Sequence, residues 1–331
     1  MVMIHPGLRP YIEPYRVLGC MRMWQPHDDS CRCTSTLGRH RMNVLAVDVG
    51  GTKTLLGIVT PAGDIVSQSE HPTRIGIDDI ERVSALTVEE LASATEPVGA
   101  VCVGFPEYVS AEGLLTSREV LTWAEQPARV IHRAIAARGL EQLPVRIDSD
   151  VRLGALGEAT FGVGVDRSSF IYVSLGTGLS SAFVVSGAPW RGSRGEAIAL
   201  GEWPGPEGTT LERYASGTAI TQRYEHLTGV ARTARDIVTA SATDPVARGI
   251  LETAGSALGR ACADIVSLID PAVVIIGGGL GSAPTLLSEA AHRAYISATA
   301  RRDDSPPWVV AGNGARSGLL GAAAAALPLC C

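Results

Sequence analysis

NVLAVDVGGTKTLLGIV, residues 43–59, is an apolar run interrupted once by two glycines and a short polar step. Continuous apolar runs bounded by glycine predict buried strands, so one strand enters the glycines and a second leaves them. Turn residues from Pro61 to Asp64 and the segment GDIVSQSEH, residues 63–71, add a third strand, which makes a β-meander. In the turn Asp48-Val-Gly-Gly-Thr-Lys53, Gly50 and Gly51 let backbone N–H groups approach phosphate oxygens, Thr52 adds a hydroxyl and Lys53 a positive charge. Alone, a Gly-Gly turn is equally the turn of a plain hairpin. Asp48 shifts that balance, because a carboxylate beside a polyphosphate is repulsive unless it holds Mg²⁺ through water. The strand-turn-strand setting differs from the P-loop, whose lysine opens a helix, and from the dinucleotide fingerprint.

Outward from this turn, a helical stretch over residues 78–94 precedes the strand GAVCVGFP, residues 99–106, which a crossover returns to the same sheet. The second half repeats the scheme. The strand SFIYVSLG, residues 169–176, runs into Gly176-Thr177-Gly178, then AFVVSG follows, and helical segments lead to PAVVIIGGG, residues 271–279. Two lobes that each open with strand, glycine turn and strand can grip a polyphosphate between opposed turns. The third run, Gly277-Gly278-Gly279, ends a strand before a helix starting near Ser282 or Pro284, a setting in which nucleotides dock. Between the lobes, VRIDSD, residues 145–150, is a short strand feeding a helix over residues 151–160. Asp150 is open to two readings there. It is the N-cap of that helix, or a carboxylate facing the cleft that accepts the proton of an attacking hydroxyl.

The 331 residues are enough for two α/β lobes, 42–150 and 151–331, with the Ala-rich residues 318–329 forming a buried helix that packs back on the first lobe. The net charge of -6 is spread without long runs of one sign, which speaks against nucleic acid as a partner. No stretch reaches the ~20 apolar residues of a membrane span, so a cytoplasmic protein without a membrane partner is expected. Five of the seven cysteines lie in the end segments, leaving Cys102 and Cys262 as buried apolar residues of the body. Residues 1–41 show no periodicity and read as a disordered or artefactual extension ahead of the domain.

Taken in order, these motifs resemble the ROK family of bacterial sugar kinases and sugar-responsive repressors, from residue 42 to about residue 327. AVDVGGTKTLLGIV resembles that family's first phosphate motif and LGTGLSSAFVVSG, residues 175–187, its second. DPAVVIIGGGLGSAP, residues 270–284, resembles the segment that closes on adenosine. Asp148-Ser149-Asp150 followed by ALGEATFG resembles N-D-x-N-x-A-x-x-E, which puts Asp150 on the catalytic base. The resemblance implies a two-lobed actin-like ATPase (ribonuclease H-like) fold with a duplicated β-meander/α core. It also implies ATP and Mg²⁺ as cofactors, a homodimer, and phosphorylation of a hydroxyl on a hexose or a C7 cyclitol.

Three departures bear on the acceptor. Ser149 stands where the family has Asn. The sugar motif G-E-x-G-H reads Gly201-Glu202-Trp203-Pro204-Gly205, keeping Glu202 and losing His. The zinc cluster is reduced to EGTTLER, residues 207–213, with no cysteine and with Glu212 on the final Glu, so no zinc site is expected. The resemblance gives Glu202 and Glu212 the task of accepting hydrogen bonds from sugar hydroxyls; as isolated residues they are ordinary surface carboxylates. Glu119 and Trp123 fall where the family has an Asn and a Trp near substrate. The rival reading, a sugar-binding regulator or sensor without kinase activity, finds no winged helix in residues 1–41, since that motif needs roughly 60 residues.

Overall fold

The structure, a computed structural model, describes residues 42–73, 79–301 and 304–330; the reading of residues 1–41 lies outside them. The first sheet is built from β1 (Asn43–Val49), β2 (Lys53–Val59), β3 (Ile65–Pro72), β4 (Val98–Phe105) and β5 (Val145–Ser149), in the order β3-β2-β1-β4-β5. Between these strands lie α1 (Asp79–Ser93) and α2 (Pro127–Ala136), and α3 (Asp150–Phe161) leaves the end of β5. The second sheet takes β6 (Ser169–Leu175), β7 (Leu179–Val185), β8 (Ala188–Pro189), β9 (Val274–Gly277) and β10 (Trp308–Val310), in the order β10-β9-β6-β7-β8. Around it run α4 (Leu211–Ala215), α5 (Gly217–Thr228), α6 (Ala234–Ala240), α7 (Pro245–Ile269), α8 (Leu286–Thr299) and α9 (Ser317–Ala326).

Strand for strand the two sheets are the same. The first three strands of each form an antiparallel meander, and the fourth and fifth pair in parallel. This is the duplicated core expected from the paired glycine turns. Burial on both faces explains the uninterrupted apolar runs of β1 and β6. Leu45, Val47 and Val49 pack under α1 and α2, whereas Val44 and Ala46 face Leu319, Leu320 and Ala323 of α9. In β6, Ile171, Val173 and Leu175 pack with α7 and α8, while Phe170 and Tyr172 meet Ala155 of α3.

Each lobe's last helix therefore packs on the other lobe's sheet: α3 leaves β5 and lies against β6 and β7, and α9 follows β10 and lies against β1 and β4. The two helices also pack on each other, and a Cβ at Gly321 would overlap the Leu153 carbonyl. Several element bounds differ from the sequence reading by a residue or two, and two of the differences follow from local geometry. α8 starts at Leu286 because Thr285 and Ser288 form a capping box, and α9 ends at Ala326 before a 3₁₀ turn at Leu327–Leu329.

Candidate active site

Three glycine turns meet at one end of the cleft. A Cβ on Gly51 would lie 3.7 Å from Cγ2 of Thr177, and one on Gly176 would lie 3.9 Å from the Gly279 nitrogen, so the turn after β1 faces the turn after β6 and the latter faces the run after β9. The turns are matched internally as well. Gly50 N–H donates to Lys53 O and Gly176 N–H to Gly178 O, both at 2.9 Å. The N–H groups of Gly50 and Gly176 thus close their own turns. The N–H groups of Gly51, Thr52, Thr177 and Gly178 make no backbone hydrogen bond among the described residues. Gly278 has φ +79°, a conformation glycine adopts freely, and it lets Leu280 and Gly281 N–H donate to Leu175 O, which folds the third run over the second turn. Lys53 pairs with Glu70 at 3.1 Å, which draws its ammonium toward β3.

Two carboxylates lie beside these turns. Burial pushes the Asp48 carboxyl up to about 6, against the opposing pull of Lys53. Gly318 presses on it closely enough that a Cβ there would overlap the carboxylate. Asp150 is pushed up to about 8, first by burial and then by the negative charge of Asp48. Its Oδ1 accepts from Val151 N–H at 2.6 Å. The N-cap of α3 is Ser149, one residue earlier, and its side chain makes no capping bond, so neither residue serves as the side-chain cap. Burial is the larger cause of both shifts, opposed by Lys53 at Asp48 and by Arg152 at Asp150.

Beside Ser149 a cleft of about 90 Å³ has walls that include Glu119, Glu202 and Glu212, residues distant in the chain. Glu212 accepts from Leu179 N–H at 3.1 Å, tying α4 to the second glycine turn. Glu202 accepts a 2.5 Å hydrogen bond from the Tyr108 hydroxyl across 94 positions of chain. The segment that carries zinc ligands in the family resemblance is here closed by a bridge between Pro204 and Thr210 and by Gly205 N–H to Thr209 O at 2.7 Å. Trp123 packs on the core, with the Arg118 guanidinium 4.1 Å above its ring.

Sequence reading missed the buried ionic centre beneath the cleft. Asp148 and Arg152 are 3% and 2% exposed, and Arg152 Nε donates to Asp148 Oδ1 at 2.8 Å. Arg152 also donates to Gly195 O and Val109 O, each at 2.6 Å, and Arg191 Nη2 donates to Asp148 Oδ2. Burial holds the Arg152 guanidinium below its usual range, and Asp148 offsets this. Glu158 was equally unread as a structural residue. Fully buried, it accepts from Gly312, Asn313 and Val163 N–H and from Ser317 Oγ at 2.7–3.1 Å, which fixes the start of α9 beside Asp48. The signals were present as an i,i+4 Asp-Arg pair and a glutamate within an otherwise apolar helix, but neither names its partner.

Comparison with known proteins agrees with this architecture. The β-glucoside kinase of Listeria innocua serovar 6a is 28% identical over 298 residues, covering 85% of this chain and 96% of its own. The ROK hexokinase of Thermus thermophilus superposes with TM-score 0.71 at 28% identity, covering 86% of this chain and 98% of that one. A ROK family glucokinase from Streptomyces griseus, solved in complex with glucose and AMPPNP, gives TM-score 0.72 at 25% identity, with 86% and 99% covered. The ROK family profile matches residues 44–328, nearly all of the described chain, and the protein belongs to that family.

Proposed function

We propose that the protein is an ATP-dependent carbohydrate kinase that phosphorylates a hydroxyl of a hexose or a sugar-like C7 cyclitol, with Asp150 as general base. The observation that supports this reading is that Asp150 feels the charge of Asp48 while its chain neighbours Ser149 and Val151 line the cleft. Asp48 lies beside facing turns with unspent N–H groups. The cleft walls carry the carboxylates of Glu119, Glu202 and Glu212, acceptors suited to the donors of a polyhydroxylated ring.

The residues present fit a nucleotide triphosphate with Mg²⁺: Gly51, Thr52, Thr177 and Gly178 offer phosphate donors, Asp48 would hold the cation through water, and Gly277–Gly279 flank the nucleoside. Bound there, magnesium ATP would supply the phosphoryl group and the cation's positive charge. Ser149 and Asp150 orient the attacking hydroxyl, and Asp150 takes its proton late, because a hydroxyl is too weak an acid to ionise beforehand. Glu202 and Glu212 bind the remaining hydroxyls. Closure of the cleft excludes water that would otherwise compete for the phosphoryl group.

A coupled ADP-release assay over D-glucose, N-acetylhexosamines, β-glucosides and cyclitols tests the reading. Acceptor-dependent ADP formation is expected with at least one class, and Asp150→Asn lowers kcat by roughly 10²–10⁴ with little change in the KM for ATP. Near-normal turnover by that variant refutes the base assignment. Failure of every acceptor favours a sugar-binding regulator.

A further inference from the structure

Glu107 and Tyr108 follow β4 after Pro106 and lie outside the glycine turns. Glu107 is a carboxylate only 4% exposed, in a loop rather than in an ion pair. Its two oxygens accept from three consecutive backbone groups, Glu119, Val120 and Leu121 N–H, at 2.7–2.9 Å, and from Ser117 Oγ at 2.5 Å. Ser117 Oγ in turn accepts from Tyr108 N–H at 2.8 Å. Four donors on one buried carboxylate leave the backbone at Glu119 a single position, because any displacement strands several polar groups without water. Glu119 projects from this anchored backbone into the wall of the cleft, and the Tyr108 ring lines the same wall.

We propose that Glu107 and Tyr108 together set acceptor specificity: Tyr108 contacts the acceptor at the outer wall of the cleft, and Glu107 is the positioning residue that holds Glu119 beside it. This deepens the kinase reading and rests on the cleft being the acceptor site. Tyr108 donates to Glu202 when no acceptor separates them. An acceptor hydroxyl entering between the two accepts from the phenol and donates to the carboxylate, replacing one hydrogen bond by two. The Arg152 guanidinium holds both walls at once through Val109 O and Gly195 O, two residues from Asp150, so the span from base to outer wall is set by one rigid group. A ring whose distal hydroxyl reaches Tyr108 while its reacting hydroxyl meets Asp150 is selected by that span.

Tyr108→Phe and Glu107→Gln are compared with wild type using D-glucose, N-acetyl-D-galactosamine and cellobiose as probes. Three readouts are taken: steady-state kinetics, acceptor binding by calorimetry, and backbone amide exchange. Acceptor-dependent ADP release by wild type tests the kinase reading alone; binding and exchange test this proposal without turnover. For Tyr108→Phe, the KM and Kd of the best acceptor rise about tenfold, as loss of one well-placed hydrogen bond implies. Its kcat and its KM for ATP stay within about twofold. For Glu107→Gln, amide exchange at Glu119, Val120 and Leu121 accelerates at least about tenfold and acceptor binding weakens, with ATP binding unchanged. Tyr108→Phe removes a single oxygen and keeps the test open should Glu107→Gln fail to fold. Unchanged acceptor constants in Tyr108→Phe overturn the proposal, as does a Glu107→Gln protein whose amides exchange as in wild type or whose ATP and acceptor constants worsen alike.

Discussion

Asp150→Asn changes stability as well as catalysis, and the two effects run in opposite directions. In the folded protein without ligands the Asp150 carboxyl sits at about 8 against an ordinary value of 3.8, raised by burial and by Asp48. A group whose folded value is raised stabilises the fold fully below its unfolded value, and that contribution is lost as pH climbs through the folded one. Asp150 therefore erodes stability between about pH 4 and pH 8, and an asparagine cannot. One pKa unit corresponds to ~1.4 kcal/mol, so the displacement from 3.8 to about 8 sets a ceiling of ~6 kcal/mol. Asp150 is partly open to the cleft, and water screens it, which brings the expected gain at pH 8.5 to on the order of 2–3 kcal/mol. For a chain of this size that is a rise of about 4–10 °C in Tm. Urea and thermal unfolding of wild type and variant from pH 4.5 to 8.5 measure it, and the difference between the curves cancels the titrating groups that do not interact with Asp150. The curves should meet near pH 4.5 and diverge as pH rises. A variant less stable than wild type at pH 8.5, or a gap independent of pH, refutes the electrostatic account of Asp150.

The same two carboxyls predict proton release on nucleotide binding. At pH 7.5 the empty site holds Asp150 largely protonated, and a divalent cation beside it favours the charged form, so calorimetry of magnesium ATP binding in buffers of different ionisation enthalpy should report ~0.5–1 proton released, and none in Asp150→Asn. Gly318→Ala places a methyl against the Asp48 carboxylate while raising helix propensity; the KM for ATP should rise at least about tenfold with circular dichroism unchanged, and an unaltered KM would remove Asp48 from the nucleotide site. Glu158→Ala orphans three N–H groups and leaves the Ser317 hydroxyl to Gly314 O, so urea unfolding should show a loss of about 3–5 kcal/mol, whereas a loss below about 1 kcal/mol would show that water replaces the carboxylate.

What was legible in the sequence was what neighbouring residues impose on one another. Apolar runs in β1, β4 and β6, glycine turns between strands, and the repetition of the scheme are properties of short segments, and they sufficed for a duplicated two-lobed α/β fold. The same local grammar marked Asp48, Asp150 and the three glycine turns, because a turn needs its glycines wherever the chain goes. Local pattern did not say which N–H groups a turn uses to close itself, or which of the two readings of Asp150 the helix start would favour; Gly50 N–H is taken by Lys53 O, and the N-cap of α3 is Ser149.

Tertiary structure decided everything that depends on partners far along the chain. The Arg191–Asp148 pair spans 43 positions, Tyr108–Glu202 94 and Ser317–Glu158 159, and no local pattern carries such a pairing. The affinity of Asp48 and Asp150 for protons is likewise collective, because it comes from the low-dielectric surroundings that two sheets and the crossed helices α3 and α9 create together. Composition and spacing showed that Asp48 and Asp150 were carboxylates at the ends of strands. The order β1-β4-β5 set them at the same end of one sheet, one strand apart, and the start of α9 closed over Asp48.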